Sequence, residues 1–178
     1  MSGLHPAWVV ARGTVLIAVV DTGVDYTHPD LDAKVILGKD FVDNDNDPTD
    51  AGTHGTHVAG IAAAESNNGV GVAGASWGSK ILAIRGMGTH AAFSAALRYA
   101  ADNGAKVINF SGSGATGSTT MHNAVKYAVG KGCLFVCTAG NTGVNAARFP
   151  ASYPESLCVG NSTDADGRSG SSTFGAHV

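Results

Sequence analysis

The sequence predicts an α/β fold built on a parallel sheet. Short apolar, β-branched runs alternate with alanine-rich helical segments, and the runs end on polar residues. The 25 glycines fall where strands give way to helices, not in a low-complexity block. The run 14–20 (TVLIAVV) is continuously apolar, as expected of a strand covered on both faces, and Asp21 follows at once. Residues 54–65 (HGTHVAGIAAAE) read as a helix, which SNNGVGVAG breaks before the short strand ILAI at 81–84. A second helix covers 91–102, with Asn103-Gly104 as its left-handed stop. KVINF (106–110) is then a strand, 118–129 a helix ended by Gly130, and CLFVCT (133–138) a strand.

Open parallel sheets gather active groups at the C-terminal ends of their strands. Three such ends carry polar residues here: Asp21, Ser111 after KVINF, and Asn141 beyond Ala139-Gly140.

Composition narrows the function. The 178 residues are 44% hydrophobic and 14% charged, which fits one globular domain spanning 1–178. A formal net charge of -3 gives no basic footprint for nucleic acid, and no Lys/Arg cluster suits an anionic membrane surface. Neither partner is expected. The start MSGLHPAWVVARG shows no basic n-region and no long apolar h-region, so no export signal is visible and the compartment stays open. A strand through KGCLFVCTAG would hold Cys133 and Cys137 roughly 13 Å apart, too far to bridge. Cys133, Cys137 and Cys158 are therefore read as buried, inert thiols with no zinc-ligand spacing.

VVDTGVD, HGTHVAG and TAGNTG occur in that order, with HPDL (28–31), FVDNDNDP (41–48), YAADNGAKVI (99–108) and a terminal SSTFG. In these segments the chain resembles the subtilisin-like serine peptidases, nearest to their thermitase branch. The resemblance runs from about Trp8 to Phe174 and implies a three-layer α/β sandwich. It implies that Asp21 is the catalytic aspartate, His54 the general base and Asn141 the oxyanion donor of an endopeptidase acting on polypeptides. Each role suits its residue. A carboxylate at a strand end can accept the Nδ1 proton of an imidazole and fix its tautomer, and a side-chain amide can stabilise a developing oxyanion. Singly, each could as well be a cap or turn residue.

The resemblance also implies a substrate-binding edge at Ser111-Gly112-Ser113-Gly114, where Gly112 and Ser113 replace the usual leucine and glycine, and substrate adds as a strand. The opposite edge, GMGTH after Arg85, is shorter than in thermitase. Structural Ca²⁺ is implied at two places. At one, Asp30 and Asn68 would give side-chain oxygens, and Val70 and Val72 carbonyls. At the other, Asp40, Asp45, Asp47 and Thr49 would form a weaker site, for which the bland reading is a solvated acidic loop. An EF-hand is excluded, because Pro48 stands where that loop needs glycine and His54 where it needs glutamate. His57, three residues after His54, has no HEXXH context and is a structural histidine by the family pattern.

The family's serine opens a later helix in a GTSMA-like segment followed by PHVAG. No such string occurs here, and only 37 residues follow Asn141. The expectation is a C-terminally truncated domain, ending before its last strand and its serine-bearing helix, and inactive alone. Gly74-Ala75-Ser76-Trp77-Gly78 matches GXSXG, but that elbow needs a strand before and a helix after, so Ser76 is read as a turn residue. Three outcomes stay open: an enzyme fragment partnered by its missing C-terminal segment, a non-catalytic peptide or partner binder, or a calcium-stabilised remnant.

Overall fold

The computed structural model describes residues 4–178. A short helix α1 (Leu4–Val10) precedes β1 (Leu16–Asp21), β2 (Val35–Asp40), α2 (His54–Ala63), β3 (Lys80–Arg85) and α3 (His90–Asp102). These lead into β4 (Val107–Phe110), α4 (Thr119–Gly130), β5 (Leu134–Thr138) and β6 (Leu157–Val159). The six strands form one parallel sheet in the order β2-β3-β1-β4-β5-β6.

Two cores lie on opposite faces of that sheet, which makes three layers. On one face Ala18, Val20, Ile84, Ile108 and Phe135 pack against Phe93, Leu97, Ala124 and Val125 of α3 and α4. Phe93 meets the Phe110 ring edge-on, with centroids 4.7 Å apart. On the other face Ile17, Val19, Ile81 and Ala83 pack against Ala59 and Ala63 of α2, whose small residues let the helix lie close to the sheet.

Helix α2 reaches β1 and β3 but not the far half of that face. Register pairs Val107↔Leu134, Val136↔Leu157 and Thr138↔Val159 turn their side chains the same way. Leu134, Leu157 and Val159 are 49%, 49% and 50% exposed.

Element boundaries differ from the sequence reading for local reasons. Asp21 is the last residue of β1, in register with Arg85, so it belongs to the strand. Helix α2 stops at Ala63 because Ala64 turns extended (ψ 156°) and the Glu65 amide donates to the Asp30 carbonyl at 2.9 Å. Ser118 stands outside α4 as its cap, accepting from the Met121 amide at 3.2 Å, and Thr89 caps α3 likewise. At the end of α3, Gly104 alone takes the left-handed turn (φ 84°), while Asn103 does not (φ −90°). Strands β2 and β6 and helix α1 were not anticipated. The first is an edge strand with Ile36 and Leu37 exposed, and β6 is three residues long.

Candidate active site

The end of β1 and the start of α2 bring two titratable side chains together. Asp21 is fully buried, and its Oδ1 lies 2.7 Å from His54 Nδ1 while also accepting the Thr22 amide at 2.7 Å. Its Oδ2 is buried without a hydrogen-bond partner among the described residues. His54 is about half exposed (52%), which leaves the outer side of its ring accessible. A carboxylate on Nδ1 fixes the tautomer with Nε2 free to take a proton.

Glycines make this approach possible. A Cβ on Gly55 would stand 2.0 Å from the Gly23 carbonyl oxygen and 3.0 Å from Asp21 Cβ, so the first turn of α2 touches the β1 exit only because residue 55 has no side chain. Gly23 itself needs φ 113°.

Asp50 ties the two elements together, a role the sequence reading missed. Its Oδ1 accepts Thr22 Oγ1 at 2.6 Å and the Gly52 amide at 2.9 Å. Its Oδ2 accepts the Thr56 amide at 2.9 Å and Thr56 Oγ1 at 2.5 Å. Thr22 Oγ1 in turn accepts the Gly55 amide, and Thr56 Oγ1 accepts the Asp25 amide. Burial pushes the Asp50 carboxyl up, but these hydrogen bonds outweigh it and hold the group below the usual carboxylate range. Thr53, at the N-cap position, makes no side-chain cap bond, so Asp50 satisfies the exposed amide of the first turn from outside the helix. A carboxylate four residues before a helix-opening histidine was the available signal, masked by Thr53, a residue type that ordinarily caps.

Ser111 and Asn141 lie at the same C-terminal edge of the sheet as Asp21, following β4 and β5, and β4 adjoins β1. Asn141 is exposed and follows Gly140, which adopts φ 97° and donates its amide to Thr138 Oγ1 at 3.1 Å. Residues 111–114 are pinned at both ends: Asn109 Nδ2 donates to Ser111 Oγ at 2.9 Å, and Gly114 and Phe149 exchange backbone hydrogen bonds at 2.8 and 2.9 Å. Gly112 has Phe110 and Met87 against it, with a Cβ there only 2.8 Å from Phe110 Cζ.

The two calcium-type loops differ. Asp30 is buried, and its carboxylate accepts Asn68 Nδ2 at 2.7 Å and the Val72 amide at 2.8 Å, which folds the 66–72 loop around it. Asn68 Oδ1 accepts the Val70 amide at 3.2 Å, and a Cβ on Gly71 would lie 2.2 Å from Asp30 Oδ2. Asn68 thus turns its nitrogen to Asp30 and its Oδ1 to the Val70 amide, so hydrogen bonds close the loop on the buried carboxylate. The residue types suit a hard cation, but their oxygens do not converge on one point here. In the other loop Asp40 is spent on Arg85 Nη1 at 2.5 Å and on the Val42 and Asp43 amides, and Arg85 also pairs with Asp43. Burial alone would raise the Asp40 carboxyl, yet those amides and the guanidinium hold it low. Asp45 and Asp47 are exposed and cap their own turns, Asp47 accepting Thr49 Oγ1 at 2.5 Å. With Asp40 already neutralised by Arg85, these four residues do not form a converged cation site.

Ser76 donates to Ser79 Oγ at 2.7 Å in the turn entering β3, at the opposite edge of the sheet, roughly 20 Å by strand length from Asp21. No helix follows it. His57 is exposed and lines a cleft of about 900 Å³ with Asp25, His28, Thr56, Ile61 and Val72. All three cysteines are free, and burial pushes the Cys137 thiol up to about 12.

Comparison with known proteins gives this geometry a family. The model of the subtilase family matches residues 12–178. A thermophilic serine proteinase of Bacillus sp. (strain AK1) is 51% identical over 97% of this chain, and thermitase of Thermoactinomyces vulgaris is 46% identical over 97%. The chain spans 45% and 64% of those two proteins' lengths. Among solved structures, a protease from Pseudoalteromonas arctica superposes with a TM-score of 0.90 at 31% identity, covering 98% of this chain and 64% of that one. A cold-adapted subtilisin-like serine proteinase gives 0.84 at 33%, covering 94% and 62%. The parallel α/β sandwich is thus the subtilisin-like one, and the chain belongs to the subtilase family of serine proteases, in its thermitase branch.

Proposed function

We propose that this chain carries the aspartate–histidine half and the oxyanion asparagine of a serine endopeptidase site, completed by a serine on a segment beyond these 178 residues. The observation that carries the reading is the 2.7 Å contact between buried Asp21 and accessible His54. In the proposed reaction His54 Nε2 takes the proton of the serine hydroxyl as its oxygen attacks the peptide carbonyl carbon. Asp21 steadies the imidazolium from Nδ1, and the Asn141 amide donates to the carbonyl oxygen as it becomes an oxyanion. The imidazolium then protonates the leaving amine, the C–N bond breaks, and water, deprotonated by the same His54, releases the acyl group as a carboxylic acid. Residues 111–114 would pair with the substrate backbone as an added strand.

The Asp30 loop would hold a structural Ca²⁺ through Asp30, Asn68 and the carbonyls of Val70 and Val72. The Asp40 to Thr49 loop is held by Arg85 instead.

The reading is tested by complementation. The chain is co-refolded with the part of thermitase beyond the matched region, and hydrolysis of an unfolded protein substrate is followed. Activity should appear in the mixture only, and His54→Ala should remove it by at least about 10³-fold. A mixture that assembles yet never hydrolyses substrate would favour the alternative, a non-catalytic peptide binder.

A further inference from the structure

Against Gly140, between residues 111–114 and Asn141, stands a cation that no carboxylate pairs with among the described residues. A Cβ built on Gly140 would meet Ser113 Oγ at 2.9 Å, Thr173 Oγ1 at 3.1 Å and Arg148 Nε at 3.4 Å, so these polar atoms converge on the residue just before Asn141. Arg148 is held there by its neighbour Phe149, which pairs with Gly114, and by its own amide donating to Ser152 Oγ at 3.1 Å. Arg148 Nε is buried and has no hydrogen-bond partner, and among the described residues its guanidinium enters no ion pair. Hydroxyls stand beside it, and the chain around it supplies no carboxylate. No Asp or Glu occurs between residues 103 and 154, and the next carboxylate, Glu155, is engaged by His122 at 2.8 Å.

An unpaired guanidinium nitrogen withdrawn from water is costly, and a planar fork beside a hydroxyl is suited to a carboxylate. Its position says which carboxylate. If Asn141 binds the acyl oxygen, the residue on the acyl side of the scissile bond lies near Gly140, with its side chain within reach of Ser113 and Arg148. We propose that Arg148, with Ser113 beside it, is the specificity-determining residue of this site and selects polypeptides bearing glutamate or aspartate on the acyl side of the cleaved bond. The assignment rests on the endopeptidase reading of Asp21, His54 and Asn141.

The test uses the 178-residue chain and the peptides acetyl-Ala-Ala-Ala-Xaa-amide, with Xaa glutamate, glutamine or leucine. Binding is measured by titration, and its location by shifts of the Gly112, Ser113 and Gly114 amide resonances. The glutamate peptide should bind at least about tenfold tighter than its glutamine isostere, an advantage that shrinks as salt is added. That comparison needs no variant to fold. Arg148→Gln should abolish the preference, Arg148→Lys should keep part of it, and Arg148→Glu should turn it toward a lysine peptide. Equal affinities for glutamate and glutamine, with shifts at 112–114, would overturn the specificity and leave peptide binding standing. No shift at 112–114 with any peptide would overturn both.

Discussion

At the residue scale the site depends on Asp50 as much as on the two side chains it brings together. Four hydrogen bonds converge on that one carboxylate, and through Thr22 and Thr56 they hold the β1 exit against the first turn of α2. Asp50→Ala should destabilise the chain by about 2–4 kcal/mol, because two hydroxyls and two amides lose a charged acceptor. It should also remove the downfield Nδ1 proton resonance expected of His54 hydrogen-bonded to Asp21, which a merely destabilising change elsewhere would spare. Asp50→Asn, keeping one acceptor oxygen, should retain it. The sign of the pH dependence follows from the depressed Asp50 and Asp40 carboxyls. A group lowered in the folded state contributes stability above its unfolded value, near 3.9, and loses it as pH falls through the folded value. Melting temperatures should therefore hold from neutrality to about pH 5 and fall below about pH 4, less steeply in Asp50→Asn. The strand-end place of Asp21 and the helix-start place of His54 were legible in the local pattern, whereas their pairing was expected only from the resemblance. Asp50 was not legible, because its partners Thr22 and Thr56 reach it from two elements, Thr22 from 28 residues away.

At the element scale, the 66–72 loop shows how a helix is ended by a distant carbonyl. Helix α2 ends when Glu65 bonds to Asp30, and the chain then wraps the Asp30 carboxylate before returning to β3. Millimolar Ca²⁺ should raise the melting temperature by about 5 °C or more over chelator, since a ligand bound only by the folded state stabilises it by mass action. Asp30→Ala should lose that increment, whereas Asp45→Ala should keep it. Coincident melting curves in calcium and chelator would remove the site. Gly71→Ala should cost about 1–3 kcal/mol even without calcium, because φ 54° is strained for alanine and its Cβ would meet Asp30. The strands β1 and β3 were readable because apolar runs covered on both faces have a plain signature, and β4 and β5 because their apolar, β-branched runs sit between glycine-marked helix ends. Strand β2 was not. Its apolar residues are exposed at the sheet edge, and only pairing with β3 makes VILGKD a strand.

At the scale of the whole molecule, the fold is asymmetric. One sheet face is covered by α3 and α4, while the other is covered by α2 over β1 and β3 only, leaving Leu134, Leu157 and Val159 half exposed. The chain spans 45% and 64% of the lengths of two relatives it matches. The segment proposed to bring the serine would lie beside the accessible side of His54, and the uncovered half-face adjoins that edge of the sheet. The parallel architecture was legible because layer patterning is local, whereas the uneven cover of its two faces depends on helix positions that no local pattern encodes. The most direct measurement is labelling by a fluorophosphonate, which reacts with a serine only when a base activates it. The 178-residue chain alone should take no label, and the chain assembled with the thermitase segment should be labelled on that segment's serine, with the label lost in His54→Ala. Stoichiometric label on a serine of the chain itself, Ser76 above all, would contradict the account, as would an assembled complex that never labels.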